Sequence, residues 1–348
     1  MSTQEQTKAT EDAAAAISIM RMITGFQTTQ AICTAVKLDI PELLAGGAQS
    51  SEQLAGATGA HPGALHRLMR ALCALGVCRQ SDAASFELTP LGAYLRRDVD
   101  GSLRSAALFW GEQLYEVWSH MVESVKTGQS AWKMLYGFTD FAFFAERPKL
   151  AEVFNQAMAE MTRVAAKAVV KVYDFSGISE IVDIGGGYGQ LLVPILHANP
   201  KLRGVVFDMP HAENGAREKI AAAGLADRYR FVAGDFFKSV PDGASAYILK
   251  SVIHDWDDDQ SVAILATCRR AMGPNAKLLL VEPILPTRME VTPEHQRVAL
   301  SDLNMLVAPG GRERTEAKFR TLFDRAGFKM TRIVPTATQF NMIEGVPA

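Results

Sequence analysis

The chain is short of several features that would otherwise narrow its class. It has only four cysteines in 348 residues, Cys33, Cys73, Cys78 and Cys268, and no C-x-x-C pair. Nothing therefore points to zinc or dithiol chemistry, and the four are expected to be buried free thiols. No apolar run approaches the about 18 to 20 residues of a membrane helix. Residues 1–16 lack the basic start, apolar run and small-residue cleavage site of a secretory signal, so the cytoplasm is the expected location. Neither sign of charge is in excess: 36 Lys and Arg against 38 Asp and Glu leave a formal net charge of -2. No general field draws the protein to nucleic acid or an anionic membrane, and neither is expected as a partner. A small, uncharged partner is easier to accommodate.

What is there reads as more than one compact unit, since a chain of this length exceeds one ordinary domain. The expected divisions are 1–105, 106–175 and 176–348. Residues 17–44 have helical apolar spacing, ending near Pro41 and the Gly46-Gly47 pair. Ser50-Ser51-Glu52-Gln53 opens a short helix, Ala60-His61-Pro62 is a turn, and residues 63–75 form a second helix stopped by Gly76. Residues 77–88 alternate like a hairpin turning at Ser81-Asp82, and Thr89-Pro90 opens another helix. Helix, turn, helix and hairpin together predict a winged helix. Acidic side chains outnumber basic ones over residues 1–100, and the would-be recognition helix offers only Arg67 and Arg70 as full cations. Phosphate contacts supply most non-specific DNA affinity, so the module is expected to dimerise or to cover substrate instead.

Residues 103–172 read as mainly helical and carry many aromatics and methionines, among them Trp110, Trp132, Phe138, Phe141, Phe144, Phe154, Met158 and Met161. Singly these are core residues; as a group they can wall a flat apolar ligand. From Ser179 short apolar runs at 180–184, 204–207, 230–232, 246–249 and 277–281 alternate with helices, the pattern of a doubly wound parallel sheet. The last runs, 329–334 and 339–343, are too close for a crossover helix and predict a closing antiparallel pair.

The first of these strands ends in Asp183-Ile184-Gly185-Gly186-Gly187-Tyr188-Gly189, with a helix expected to begin at Gln190. Glycines let the backbone turn tightly and approach a ligand without a Cβ in the way. A dinucleotide fingerprint needs glycine or alanine where Gln190 stands; the order D-x-G-x-G-x-G is the one associated with class I methyltransferases. The second strand ends in Phe207-Asp208-Met209-Pro210, offering a carboxylate to both hydroxyls of a ribose. The third ends in Gly234-Asp235-Phe236-Phe237, a carboxylate for an adenine amino group and an aromatic face to stack on it. Open α/β sheets bind ligands outside the carboxyl ends of their strands, where all these residues lie.

The fourth strand runs into Leu249-Lys250-Ser251-Val252-Ile253-His254-Asp255-Trp256-Asp257-Asp258. His254 thus reaches the same rim, and an imidazole can take a proton from a phenol. Asp257, Asp258 and Asp259 read as a helix N-terminus and not as cation ligands.

The stretches DIGGGYG, FDMPH, GDFF, LKSVIHDWDD, VEPILP and PGGRERT, in this order, resemble the S-adenosylmethionine-dependent O-methyltransferases of the caffeic acid, hydroxyindole and bacterial natural-product type. The resemblance covers nearly the whole chain. It implies a class I methyltransferase sheet, Rossmann-like and doubly wound with an antiparallel last strand, behind a mainly α winged-helix dimerisation domain, and a homodimer built through that domain. It places the catalytic residues on His254, Glu282 and Glu313 and cofactor contacts on Gly185, Asp208, Asp235, Phe236 and Lys250. Asp183, Gly187, Met209 and Gly234 complete the cofactor set. Glu282 is expected just after the fifth strand; Glu313 rests on the resemblance alone. Expected substrate walls are Trp110, Phe138, Phe144, Met158, Met161, Asn304 and Met305. The implied reaction is in-line methylation of a hydroxyl on a small aromatic molecule, yielding S-adenosylhomocysteine, without a metal. Related enzymes that hydroxylate, decarboxylate or rearrange their substrates are the alternative on this scaffold.

Overall fold

A computed structural model describes residues 3–81, 85–138, 143–144 and 146–348. Asp82 of the expected hairpin turn and Phe141 of the aromatic group lie outside the described residues. The chain divides into two units, Met1–Tyr115 and Glu116–Ala348, so the helices expected over 106–175 are shared between them.

In the first unit the single helix expected over 17–44 is three: α1 (Thr3–Ile23), α2 (Phe26–Lys37) and α3 (Ile40–Leu43). Asp39 takes a left-handed backbone, φ 54°, which a helix cannot continue through. Pro41 sits in the first turn of α3, where its missing N–H costs nothing. Strand β1 (Gln49–Ser50) leads into α4 (Ser51–Thr58), whose start is a capping box between Ser50 and Gln53. Helix α5 (Pro62–Ala74) follows, then β2 (Cys78–Gln80) and β3 (Ser85–Leu88). The three strands pair antiparallel in the order β1-β3-β2 and form the wing. Leu54, Leu65, Met69, Leu72 and Phe86 make its core. Helices α6 (Pro90–Ala93) and α7 (Arg104–Gly111) complete the unit. Ile17, Ile19, Met20, Met22 and Ile23 of α1 are all exposed.

The second unit begins in α8 (Gln113–Trp118) and continues through α9 (Met121–Thr127), α10 (Ala131–Tyr136) and the long α11 (Pro148–Val172). The sheet then builds as β4 (Glu180–Ile184), α12 (Leu192–Ala198), β5 (Arg203–Asp208), α13 (Glu213–Ala222), β6 (Tyr229–Ala233) and β7 (Ala246–Lys250). After these come α14 (Asp258–Ala271), β8 (Lys277–Leu285), α15 (Pro293–Val307), β9 (Arg314–Thr315), α16 (Glu316–Arg325), β10 (Phe328–Pro335) and β11 (Phe340–Pro347). The strand order is β10-β11-β8-β7-β4-β5-β6, with β9 beside β8. Strands β4 to β8 run parallel, and β11 enters antiparallel between β8 and β10.

Alternate residues of these strands face opposite cores. Ile181, Val206, Ile248 and Leu279 meet α11, α12 and α13. Val182, Val205, Tyr247 and Leu280 meet α14 and α16. Both faces are covered, which is why the strands read as continuous apolar runs. The chain leaves β4 toward β5 on one side and leaves β7 toward β8 on the other, and the resulting switch point between β4 and β7 is where open α/β sheets take ligands. Some details differ from expectation. Strand β8 extends to Leu285, so Glu282 lies within the strand and not after it. The two-residue β9 was not expected.

A Cβ on Gly345 of β11 would lie 2.2 Å from the Phe323 ring. Gly345→Ala is expected to destabilise by about 1–3 kcal/mol through overpacking, and Phe323→Ala by about 3–5 kcal/mol through cavity formation. The double mutant should lose less than the sum, because the smaller side chain removes the clash; urea midpoints at constant slope check this.

Candidate active site

The cofactor-type rim is built first by backbone. Gly185, Gly187 and Gly189 have φ of 69°, 54° and 72°, the left-handed region that side chains disfavour. A Cβ on Gly185 would also come within 2.8 Å of Val252. The Gly185 N–H donates to the Phe207 carbonyl at 2.8 Å, tying this loop to the end of β5. The Asp208 carboxylate accepts from Gly187 N at 2.7 Å and Met209 N at 2.6 Å. It is thus held by the glycine loop and keeps lone pairs for further donors. Met209 is exposed. Gly234 is required because the Phe207 ring lies 2.4 Å from where its Cβ would be. Asp235 accepts from Phe237 N at 2.9 Å, and half-buried Phe236 packs near Phe237 and Trp256. The helix expected to begin at Gln190 starts instead at Leu192, after a turn.

Two buried acceptors at this loop, Asp183 Oδ2 and Gln190 Oε1, have no hydrogen-bond partner among the described residues. Buried polar atoms are rarely left so, and a donor-bearing ligand would satisfy them. Burial pushes the Asp183 carboxyl up to about 8, with Asp208 adding to the effect and Lys250 opposing it. Burial pushes Lys250 down to about 8 against the pull of Glu282, Asp255, Asp183 and Glu313. Its Nζ sits 4.8 Å above the Phe340 ring. Lys250 is thus placed electrostatically between the glycine loop and the residues around His254. Tight backbone, orphaned acceptors and aromatic faces together fit a nucleoside bearing an amino acid.

His254 lies in a single turn after β7 and is largely buried. Its Nδ1 is 3.0 Å from Glu313 Oε1 and 3.6 Å from Glu282 Oε2, and its Nε2 is 3.5 Å from Asp255 Oδ1. An ionised carboxylate can only accept, so Nδ1 carries its proton toward Glu313 and Nε2 is left to exchange one. Burial opposes a charged imidazole, yet Glu282, Glu313 and Asp255 outweigh it and push His254 up to about 10. Burial raises the Glu282 carboxyl as well, against the pull of His254 and two backbone donors. The facing nitrogen and oxygen atoms of His254, Glu282 and Glu313 lie within 4.8 Å of one another, so both carboxylates act on the imidazole at short range.

The turn that carries His254 is held by Glu282, named from the sequence for another role, and by Arg314, which sequence reasoning missed. Glu282 Oε1 accepts the N–H groups of Val252 and Ile253 at 3.0 and 2.9 Å. The buried Arg314 guanidinium donates to the carbonyls of Ile253 and Trp256, each at 2.8 Å, to Ser261 Oγ, and to Asp258. Ser251 takes a left-handed φ of 53°, strain that this scaffold holds in place. A Cβ on Gly311 would fall 1.9 Å from the His254 carbonyl, which accepts the Arg312 N–H at 2.8 Å. Glu313 is fixed in turn by Ser301 Oγ at 2.7 Å and by Asp302, which accepts its N–H at 2.8 Å. Asp257 caps α14 in a capping box with Gln260.

The expected substrate walls scatter. Trp110 belongs to the first unit, edge-on to Phe109. Phe138 is exposed, while Phe144 is buried, stacked on Phe154 at 4.6 Å. Met158 and Met161 are half-buried on α11, and Met305 is buried on α15. Asn304 lies one helical turn after Ser301 and accepts the Trp118 indole N–H at 2.9 Å. Arg314→Met is expected to cost about 3–5 kcal/mol, because the Ile253 and Trp256 carbonyls lose their buried partner; a lowered urea midpoint with reduced turnover is the readout.

The O-methyltransferase domain family matches residues 118–329, and the O-methyltransferase dimerisation domain family matches residues 20–98. The chain is 41% identical over 329 residues to the phenazine O-methyltransferase PhzM of Lysobacter antibioticus, covering 94% of this chain and 95% of that protein. It superposes on the crystal structure of LaPhzM with a TM-score of 0.92 at 40% identity, covering 96% of this chain and 99% of the other. The O-methyltransferase NcsB1 from neocarzinostatin biosynthesis, solved with S-adenosylmethionine and 2-hydroxy-5-methyl naphthoic acid, matches with a TM-score of 0.78 and 29% identity, covering 92% of this chain and 96% of that one. With a glycine-loop rim, a buried histidine beside two glutamates and both domain families in one chain, the protein belongs to the O-methyltransferase family and is an S-adenosylmethionine-dependent methyltransferase.

Proposed function

We propose that the protein methylates a hydroxyl group on a small aromatic metabolite, with His254 as the general base and Glu282 and Glu313 as the carboxylates that strengthen it. The observation that carries this reading is the 3.0 Å contact between His254 Nδ1 and Glu313 Oε1, which leaves Nε2 as the proton-exchanging atom. The relatives named for phenazine and solved with a naphthoic acid favour a planar, oxygen-bearing acceptor.

S-Adenosylmethionine supplies a methyl group on a cationic sulfur, ready for displacement by an acceptor oxygen. Asp183, Gly185, Gly187, Asp208, Met209, Gly234, Asp235, Phe236 and Lys250 would hold it. The contribution of His254 is basicity. An ordinary imidazole falls roughly 3.5 pKa units, or about 5 kcal/mol, short of a phenol. Three surrounding carboxylates raise it to about 10, close to a phenol, so the proton moves at little net cost. Positioning adds to this, since a well-aligned pair of reactants can gain about 7–11 kcal/mol in favourable models. Trp110, Phe138, Phe144, Met158, Met161, Asn304 and Met305 remain the proposed acceptor contacts, with Phe144 and Met305 acting through packing. The first unit would pair two chains: its dimerisation-domain match, residues 20–98, takes in the exposed Met20, Met22 and Ile23 of α1 and Phe26 of α2.

His254→Ala is expected to lower turnover by about 10²–10⁴ while S-adenosylmethionine binding by calorimetry stays intact; retained turnover would remove His254 from the role. The base must be neutral to act, so a raised pKa makes kcat/KM climb with pH well above neutrality. Glu313→Gln removes one of the charges that raise it. The rising limb should then shift to lower pH and the plateau should fall, as measured by mass spectrometry of a methylated phenol.

A further inference from the structure

One contact to which the proposed reaction assigns no role is that between Trp118, the last residue of α8, and Asn304 of α15. We propose that Trp118 determines acceptor specificity by fixing the Asn304 amide with its NH2 turned to the acceptor, which selects phenols that carry a hydrogen-bond-accepting oxygen beside the reacting hydroxyl.

An indole N–H only donates, so the amide atom facing it must be the carbonyl oxygen. The Trp118 Nε1 to Asn304 Oδ1 distance is 2.9 Å, and both residues are half-buried. The amide orientation therefore follows from chemistry, where a hydroxyl partner would have allowed either face. The Asn304 NH2 has no protein partner among the described residues, so both its donors remain for a ligand. Its place relative to the chemistry follows from the helix: Ser301, one turn earlier on the same face, donates to the Glu313 carboxylate that accepts from His254. A donor-only group one turn from that carboxylate pairs with a carbonyl or ether oxygen next to the hydroxyl being methylated, and leaves an amino group in the same position unpaired. A site built to hydrogen-bond one partner rejects an analogue that cannot.

This inference rests on the phenol-methylating reading. The test compares kcat/KM for O-methylation of 2-methoxyphenol and 2-aminophenol at saturating S-adenosylmethionine, products being resolved by chromatography and mass spectrometry. Wild type should prefer 2-methoxyphenol. Trp118→Phe keeps an aromatic ring and removes the donor; it should cut that preference about tenfold, the size of one lost hydrogen bond, mainly through KM, with melting temperature and S-adenosylmethionine affinity unchanged. Asn304→Asp should reverse the preference, because the exposed amide donor becomes an acceptor. An unchanged ratio in both variants, or equal losses for both phenols, overturns the role of Trp118. Methylation of neither phenol by a wild-type protein that binds the cofactor overturns the phenol reading itself, and the inference with it.

Discussion

The guanidinium of Arg314 is the fixed point of the catalytic rim. It is buried and binds the carbonyls at both ends of the turn that carries His254, while Asp258 at the start of α14 offsets its charge. A short turn after a strand has few hydrogen bonds of its own, and would otherwise leave its carbonyls unpaired away from water. Glu282 closes the other side by accepting two N–H groups of the same turn. The imidazole is thus oriented by a frame that spans β7, β8, β9 and α14. The left-handed Ser251 is tolerated because that frame over-determines it.

The same frame explains the electrostatics. Burial alone would keep His254 neutral and weakly basic. Three carboxylates reverse that balance, and two of them hold their places through bonds to backbone, Glu282 as an acceptor and Glu313 through its N–H to Asp302. Charge is therefore built into the site by rigid groups and not by mobile surface side chains, so solvent and salt screen it little. Lys250 extends the arrangement toward the glycine loop, where Asp183 Oδ2 faces the opposite problem of a buried acceptor without a donor among the described residues.

Much of this was legible in the residues. The glycine run after the first strand, the acids after the next two and the histidine after the fourth all lie where the topology places ligands, because strand-ending motifs report the carboxyl edge of a parallel sheet. Short apolar runs predicted the strands of this sheet, with boundaries off by a residue or two, and by four at the ends of β8 and β11. Helix breaks were harder: Asp39 ends α2 by adopting a left-handed backbone, which no apolar periodicity announces. The scattered fates of Phe138, exposed, and Phe144, buried, could not be told apart by composition, since aromatic side chains serve core and ligand alike.

The sequence by itself determined the class of sheet and pointed to the candidate cofactor rim and the proposed base, because each is written in contiguous residues joined to the end of one strand. Only the tertiary structure decided how Glu313 reaches His254. The two-residue β9 pairs Arg314 and Thr315 with Ile284 and Leu285 at the end of β8, and so brings a segment 59 residues downstream against the histidine. It likewise joins Trp118 to Asn304 across 186 residues. Such contacts depend on backbone pairing between distant segments and on glycines that permit close approach, as at Gly311 beneath the His254 carbonyl. Neither leaves a periodic trace along the chain, because the atoms that meet are neighbours only after the sheet has formed.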